Sequence, residues 1–96
     1  MEYIESTENK RVKEWAALLS KKNRKTTGKF LFESRRGIEE ALLYGAKPLE
    51  ILLREGTELP AEYQQHLQGV ALATLASKVF GKLSLTENTQ GIIGVF

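Results

Sequence analysis

The 96-residue chain has no cysteine and one histidine, His66, and its twelve acidic residues are all glutamates. Without cysteine there is neither a disulfide framework nor a thiolate metal centre. A lone histidine, with neither cysteine nor aspartate beside it, gives none of the usual residue sets of a nucleophilic triad or a zinc site, and His66 reads as an ordinary surface residue. No glycine arrangement forms a Walker A loop or a GxGxxG turn after a strand. No two glutamates are spaced for general acid–base work. Glu39 and Glu40, near the start of a predicted helix, are explained by its dipole. The sequence therefore offers no catalytic residue, no cofactor-binding residue and no metal ligand. Its apolar runs are too short to cross a bilayer. The N-terminal MEYIESTENK has acids where a signal peptide carries cations, and it lacks an apolar core. A reducing, cytoplasmic setting without a membrane partner is the expectation.

What is present fits one small domain. The composition, 42% apolar and 27% charged, is that of a globular protein. A chain of this size buries roughly two-thirds of its unfolded surface, enough for a core without staples. There is no internal repeat and no low-complexity tract.

The charge is segregated. Residues 10–36 hold ten Lys/Arg against Glu14 and Glu33, a net +8, while the remaining residues carry four Lys/Arg and ten Glu, a net −6, which returns the overall +2. Solubility alone calls for mixed signs. A one-sign field of this size attracts polyanions.

Helix and strand signals alternate along the chain. Asn9, or Ser6 or Thr7 before it, is placed to cap a helix whose Val12, Trp15, Ala16 and Leu19 form one apolar stripe. NRKTTG at 23–28 reads as a loop. FLFE at 30–33 is a short strand. Ser34 then caps a helix over 35–44 that Gly45 terminates. A strand at 49–55, a helix from Pro60 to about 67, a strand at 70–75 and a short helix at 76–82 follow. IIGVF at 92–96 is apolar throughout, the mark of a strand covered on both faces. This alternation predicts an α/β layered domain with a four-stranded, mostly parallel sheet. The chain stops inside that last strand, so a longer protein cut at a domain boundary is expected.

The candidate site is the basic region. Lys21, Lys22, Arg24, Lys25 and Lys29 leave the first helix and enter the loop. Arg35 and Arg36 sit in the first turn of the second helix, where free N–H groups suit a phosphate. Two arginines there oppose the dipole, and an anion between them would relieve the conflict. Cations at the end of the first helix are favourable without any ligand, so the second group is what points to nucleic acid. Trp15 and Phe30 could stack on bases, but their positions in a helix and a strand favour the core.

The motifs have a familiar order. Ile4, Ser6, Asn9, Val12 and Lys13 open it, a Lys/Arg-rich stretch follows, then FLFE and a helix containing EEALL, and Ser84, Thr86, Gln90 and Gly91 close it. This resembles the N-terminal substrate-binding domain of SpoU-type (SPOUT superfamily, TrmH-like) RNA ribose 2′-O-methyltransferases. Ser34 and Thr89 depart from the pattern, standing where the family has Gly and often Pro. The resemblance implies a small α/β/α sandwich similar to kink-turn-binding ribosomal proteins. It implies that residues 1–96 help recognise ribosomal or transfer RNA, with ribosomal RNA the first expectation. It also implies a catalytic domain after residue 96 that binds S-adenosylmethionine, methylates a ribose 2′-hydroxyl and makes a homodimer. Two other readings stand beside it: a stand-alone ribosomal or ribonucleoprotein component, and a protein-interaction or spacer module with a basic face.

Overall fold

The computed structural model describes residues 2–96. Along the chain these form β1 (Glu2–Ile4), α1 (Lys10–Ala17), α2 (Lys21–Thr27), β2 (Leu31–Phe32), α3 (Arg35–Leu43), β3 (Glu50–Arg54), α4 (Ala61–Gln64), β4 (Ala71–Leu75), α5 (Ser77–Leu83) and β5 (Ile92–Val95). The strands make one sheet in the order β1-β4-β3-β5-β2. Helices cover both faces. Val12, Trp15 and Leu18 pack with Val79, Phe80 and Leu83 of α5 on one side, against Leu52, Ala73, Leu75 and Ile93. Ile38, Leu42, Tyr63 and Leu67 pack on the other, against Ile51, Leu53 and Ile92. This is the expected three-layer α/β/α sandwich.

Two details of the sheet differ from the expectation. It has five strands, because β1 pairs with β4, and its pairings are evenly mixed: β1–β4 and β3–β4 are parallel, β3–β5 and β2–β5 antiparallel. Three residues with one buried, Ile4, are too few to show alternation. The apolar run of β5 correctly marks a strand buried on both faces, but strand direction leaves no trace in composition. The segment at 30–33 forms an edge strand. Only Leu31 and Phe32 are regular, and the ladder is extended by Phe30 N–H to Phe96 O at 2.8 Å and Phe96 N–H to Phe30 O at 3.0 Å.

The caps follow the sequence. Asn9 Oδ1 accepts from Arg11 N–H at 2.8 Å, and Ser34 Oγ accepts from Gly37 N–H at 2.9 Å. Each cap satisfies an orphan donor of a first turn. At the end of α3, Ala46 N–H reaches Ala41 O and Gly45 N–H reaches Leu42 O, the paired bonds of a Schellman motif.

The largest correction concerns 21–27, expected as a continuation of the first helix running into a loop. The first helix stops at Ala17, and after a turn α2 forms. No residue of α2 is buried, so hydrophobic periodicity had nothing to report. Polar bonds hold it instead. Asn23 Nδ2 donates to Ala17 O at 3.0 Å, and an Arg24 guanidinium nitrogen donates to Leu18 O and Leu19 O at 3.0 and 2.9 Å. The Arg24 bonds satisfy carbonyls just past the end of α1, and Asn23 adds a second donor to Ala17 O, which also accepts from Ser20 N–H. The third helix is also shorter than expected, a single turn at 61–64.

Candidate nucleic-acid interface

The cations of residues 10–36 divide into two groups. Arg11 lies between Glu2 and Glu50 and stacks over the Trp15 ring, 5.0 Å from its centroid. The hydrogen bond to Glu50 holds its pKa above the ordinary value against the opposing effect of burial. Lys13 pairs with Glu8 at 2.9 Å. Arg35 and Arg36 pair with Glu39 and Glu40, one turn on, at 3.6 and 3.4 Å. Arg24 is committed to backbone carbonyls. Lys10, Lys21, Lys22, Lys25 and Lys29 are exposed, and among the described residues none of them has a carboxylate partner.

Helix α2 collects part of this second group. Lys21, Arg24, Lys25 and Lys29 line one shallow depression together with Gly28 and Phe30. The spacing Lys21, Arg24, Lys25 is one helical face, a clustering that a loop would not enforce. Lys22, the next residue round the helix, is exposed but does not line the depression.

Arg35 and Arg36 do not join this seat. The strand register puts Lys29 where β5 ends, and Ser34 and Arg35 where β5 begins. At about 3.3 Å per residue, some 15–20 Å of edge strand separates them. Two N–H groups of the first turn of α3 already have partners within the protein. Gln90 Oε1 accepts from Arg35 N–H at 3.1 Å, and Ser34 Oγ takes Gly37 N–H. Glu39 and Glu40 sit a turn inside the helix, and their role is to neutralise Arg35 and Arg36 rather than to complement the dipole. The anion that the sequence seemed to require is supplied by the protein itself.

The two aromatics separate. Trp15 is 4% exposed, and its indole N–H donates to Glu50 Oε1 at 3.0 Å, so it is core as expected. Phe30 was expected in the core and is 45% exposed. The reason is its place beside the edge strand, where α2 and α3 flank its ring without closing over it. Its ring stacks on Phe96 at 5.8 Å between centroids, and Phe32 meets Phe96 edge-on at 6.2 Å.

Sequence reading missed the role of Glu33. Its carboxylate accepts from Ser84 Oγ, from Leu85 N–H at 2.9 Å, from Thr86 Oγ1 at 3.3 Å and from Thr89 Oγ1 at 2.6 Å. Burial alone would raise its pKa, but these four bonds together bring it below the ordinary value. The signal was available: Ser84, Thr86 and Thr89 fall within one polar loop, and Glu33 is one of only two acids in the basic segment.

His66 is half-buried beside Gln65 and Gln68 in a shallow depression. Among the described residues, no cluster of His and Glu side chains could hold a metal ion, and no helix is long and apolar enough to cross a membrane. Two of the depressions among the described residues do not fit S-adenosylmethionine. The apolar one, lined by Phe30, Phe32, Ala41, Ala46 and Phe96, has no polar side chain for the amino-acid end. The basic one has no carboxylate for the ribose.

Fold and surface together define a small α/β/α domain with an uncompensated basic cluster on and after α2. Residues 9–94 match the family model described as the MRM3-like substrate binding domain, and the chain belongs to that family. It is 35% identical over 95 residues to the 23S rRNA (guanosine(2553)-2′-O)-methyltransferase RlmP of Bacillus subtilis (strain 168), covering 99% of this chain and 37% of that protein. A crystal structure of an RNA 2′-O ribose methyltransferase superposes with a TM-score of 0.79 at 39% identity, over 97% of this chain and 36% of the other. An rRNA methyltransferase from Sinorhizobium meliloti has the same fold, with a TM-score of 0.79 at 24% identity over 99% of this chain and 36% of that one. The chain thus spans little more than a third of the length of these relatives. The resemblance to SpoU-type substrate-binding domains holds.

Proposed function

We propose that this domain is the RNA-recognition part of an S-adenosylmethionine-dependent rRNA 2′-O-ribose methyltransferase of the cytoplasm. Its role is to seat the RNA, while a catalytic domain of the same polypeptide, following residue 96, binds the cofactor, transfers the methyl group and forms the homodimer. The relatives that match along nearly the whole chain support this reading. The observation that carries it is the cluster of Lys21, Lys25 and Lys29 around Arg24 on one face, without carboxylate partners.

Recognition is led by the phosphate backbone. Structured RNA is read largely through shape, phosphates and 2′-hydroxyls, and lysines on one short helix can follow a phosphate chain without reading bases. Arg24 adds charge from a fixed position, because its guanidinium is tied to the end of α1. Arg35 and Arg36 form a separate, partly neutralised patch with a secondary share. If Lys21, Lys22, Lys25 and Lys29 each neutralise one phosphate, log K falls with log salt at a slope of roughly −3 to −4.

The test is a salt titration of binding to an rRNA fragment, followed by fluorescence anisotropy. The chain should show that slope, and Lys21→Glu/Lys25→Glu/Lys29→Glu should abolish binding at moderate salt. A flat salt response, or binding unchanged by the triple charge reversal, would refute the assignment.

A further inference from the structure

Phe30 lines two depressions at once. On one side lie Lys21, Arg24, Lys25 and Lys29. On the other lies an apolar hollow of about 390 Å³ formed with Phe32, Ala41, Ala46 and Phe96. The hollow is shaped by the sequence. A side chain at Gly37 would lie 2.4 Å from the Phe32 ring, so the glycine lets that ring rest on α3. Phe96 in turn folds over Gly94, where an added Cβ would lie 2.6 Å from its ring. Phe30 and Phe32 stay 45% and 37% exposed. Two half-exposed aromatics on a sheet edge are costly to leave in water. Their contacts with Phe96 leave much of both rings open to solvent.

We propose that this hollow is a nucleobase-stacking platform, which takes an unpaired base of the RNA whose phosphates lie on α2. The inference rests on the RNA-binding reading above and adds a mode of recognition to it. Charge complementarity selects the occupant. A base carries a flat apolar face joined, one sugar away, to a phosphate, and Phe30 places an aromatic face directly beside four cations. A purely apolar partner would leave that positive rim unmatched. Recognition of single-stranded nucleic acid combines these same two elements, a cationic groove for the backbone and aromatic rings for the bases. The platform therefore gives the domain a preference for RNA with an unpaired segment over continuous duplex, which lysines alone do not provide.

The experiment compares two RNAs that share a stem: a hairpin with a long unpaired adenosine-rich loop containing 2-aminopurine, and the blunt duplex. The 96-residue chain should bind the hairpin more tightly and quench the 2-aminopurine fluorescence. Phe30→Leu keeps apolar bulk and backbone pairing but removes the ring. It should weaken hairpin binding about five- to hundredfold and abolish the quenching, with duplex binding unchanged. Phe30→Trp should preserve both. If Phe30→Leu binds and quenches like the parent while Lys25→Ala still weakens both RNAs, the stacking platform is refuted, the hollow belongs to a protein contact, and the RNA-binding reading stands. If the parent chain binds neither RNA, both readings fall.

Discussion

Glu33 offers the sharpest test of how this fold is held. Replacing it by alanine removes the acceptor for four donors of the loop that precedes β5. Two of these, Leu85 N–H and Thr86 Oγ1, lie at the surface and turn to water, so their loss costs little. The bonds from Ser84 and Thr89 are sheltered. Hydrogen bonds to a charged group are worth about 1.5–3 kcal/mol each. Two sheltered ones, not fully additive, give about 3 kcal/mol for Glu33→Ala. A domain of this length loses about 4–8 °C in Tm per kcal/mol, so a fall of about 12–24 °C is expected by circular dichroism or calorimetry. Glu33→Gln keeps the shape and lets the hydroxyls reorient, and should cost about 1 kcal/mol. A Tm change below about 4 °C for Glu33→Ala would refute the view that this carboxylate anchors the loop.

The pH dependence gives an independent check. The folded-state pKa of Glu33 lies below its ordinary value of 4.5. As pH falls, the unfolded chain takes up the proton first, so the ionised carboxylate contributes fully above 4.5 and its contribution is lost as pH falls through the folded value. The stability gap between the parent chain and Glu33→Gln should therefore be constant near neutrality and shrink below 4.5. A gap that persists unchanged to about pH 3 would show that the bonds do not depend on the charge.

Two further outcomes are expected. Gly91 has φ +79°, and an added Cβ would lie 2.2 Å from Thr57 Oγ1, so Gly91→Ala should destabilise by about 2–3 kcal/mol in urea unfolding, and a cost under about 0.5 would show that the loop relaxes freely. Lys25→Ala should reduce the salt slope for RNA by about one, whereas Arg36→Ala, its charge already met by Glu40, should reduce it by less than about half as much; equal effects would restore the single seat that the sequence suggested.

The fold was legible wherever burial is periodic. Val12 and Trp15, Ile38 and Leu42, and the apolar strands around Leu52 and Ile93 all announce their elements, because each presents one or two faces to the core. Helix α2 was not legible, since it buries nothing and is held by bonds from Asn23 and Arg24 to carbonyls that only the folded turn brings near. The basic site was half legible. Composition shows how many cations the segment 10–36 holds, but not which are spent internally. Arg11, Lys13, Arg35 and Arg36 meet glutamates from other parts of the chain or one turn on. The exposure of Phe30 depended on strand order: the same four residues in a central strand would be buried, and at the edge beside β5 they are not.

That edge position has a further consequence. Strand β2 has only two regular residues, too few to hold its place by ladder bonds alone. It is clamped at both ends. Phe30 and Phe96 exchange two backbone bonds at one end, and Glu33 seizes the 84–89 loop at the other, with Gln90 closing the first turn of α3. Glu33, Ser84, Thr86 and Gln90, four of the residues that carry the family resemblance, thus act as a frame. The residues proposed to meet RNA, Lys25, Lys29 and Phe30, stand on and beside the edge strand that this frame steadies. Preorganisation of this kind lowers the ordering cost of binding, so loosening the frame should weaken binding through the position of Phe30 and Lys29 without touching a single contact to the ligand.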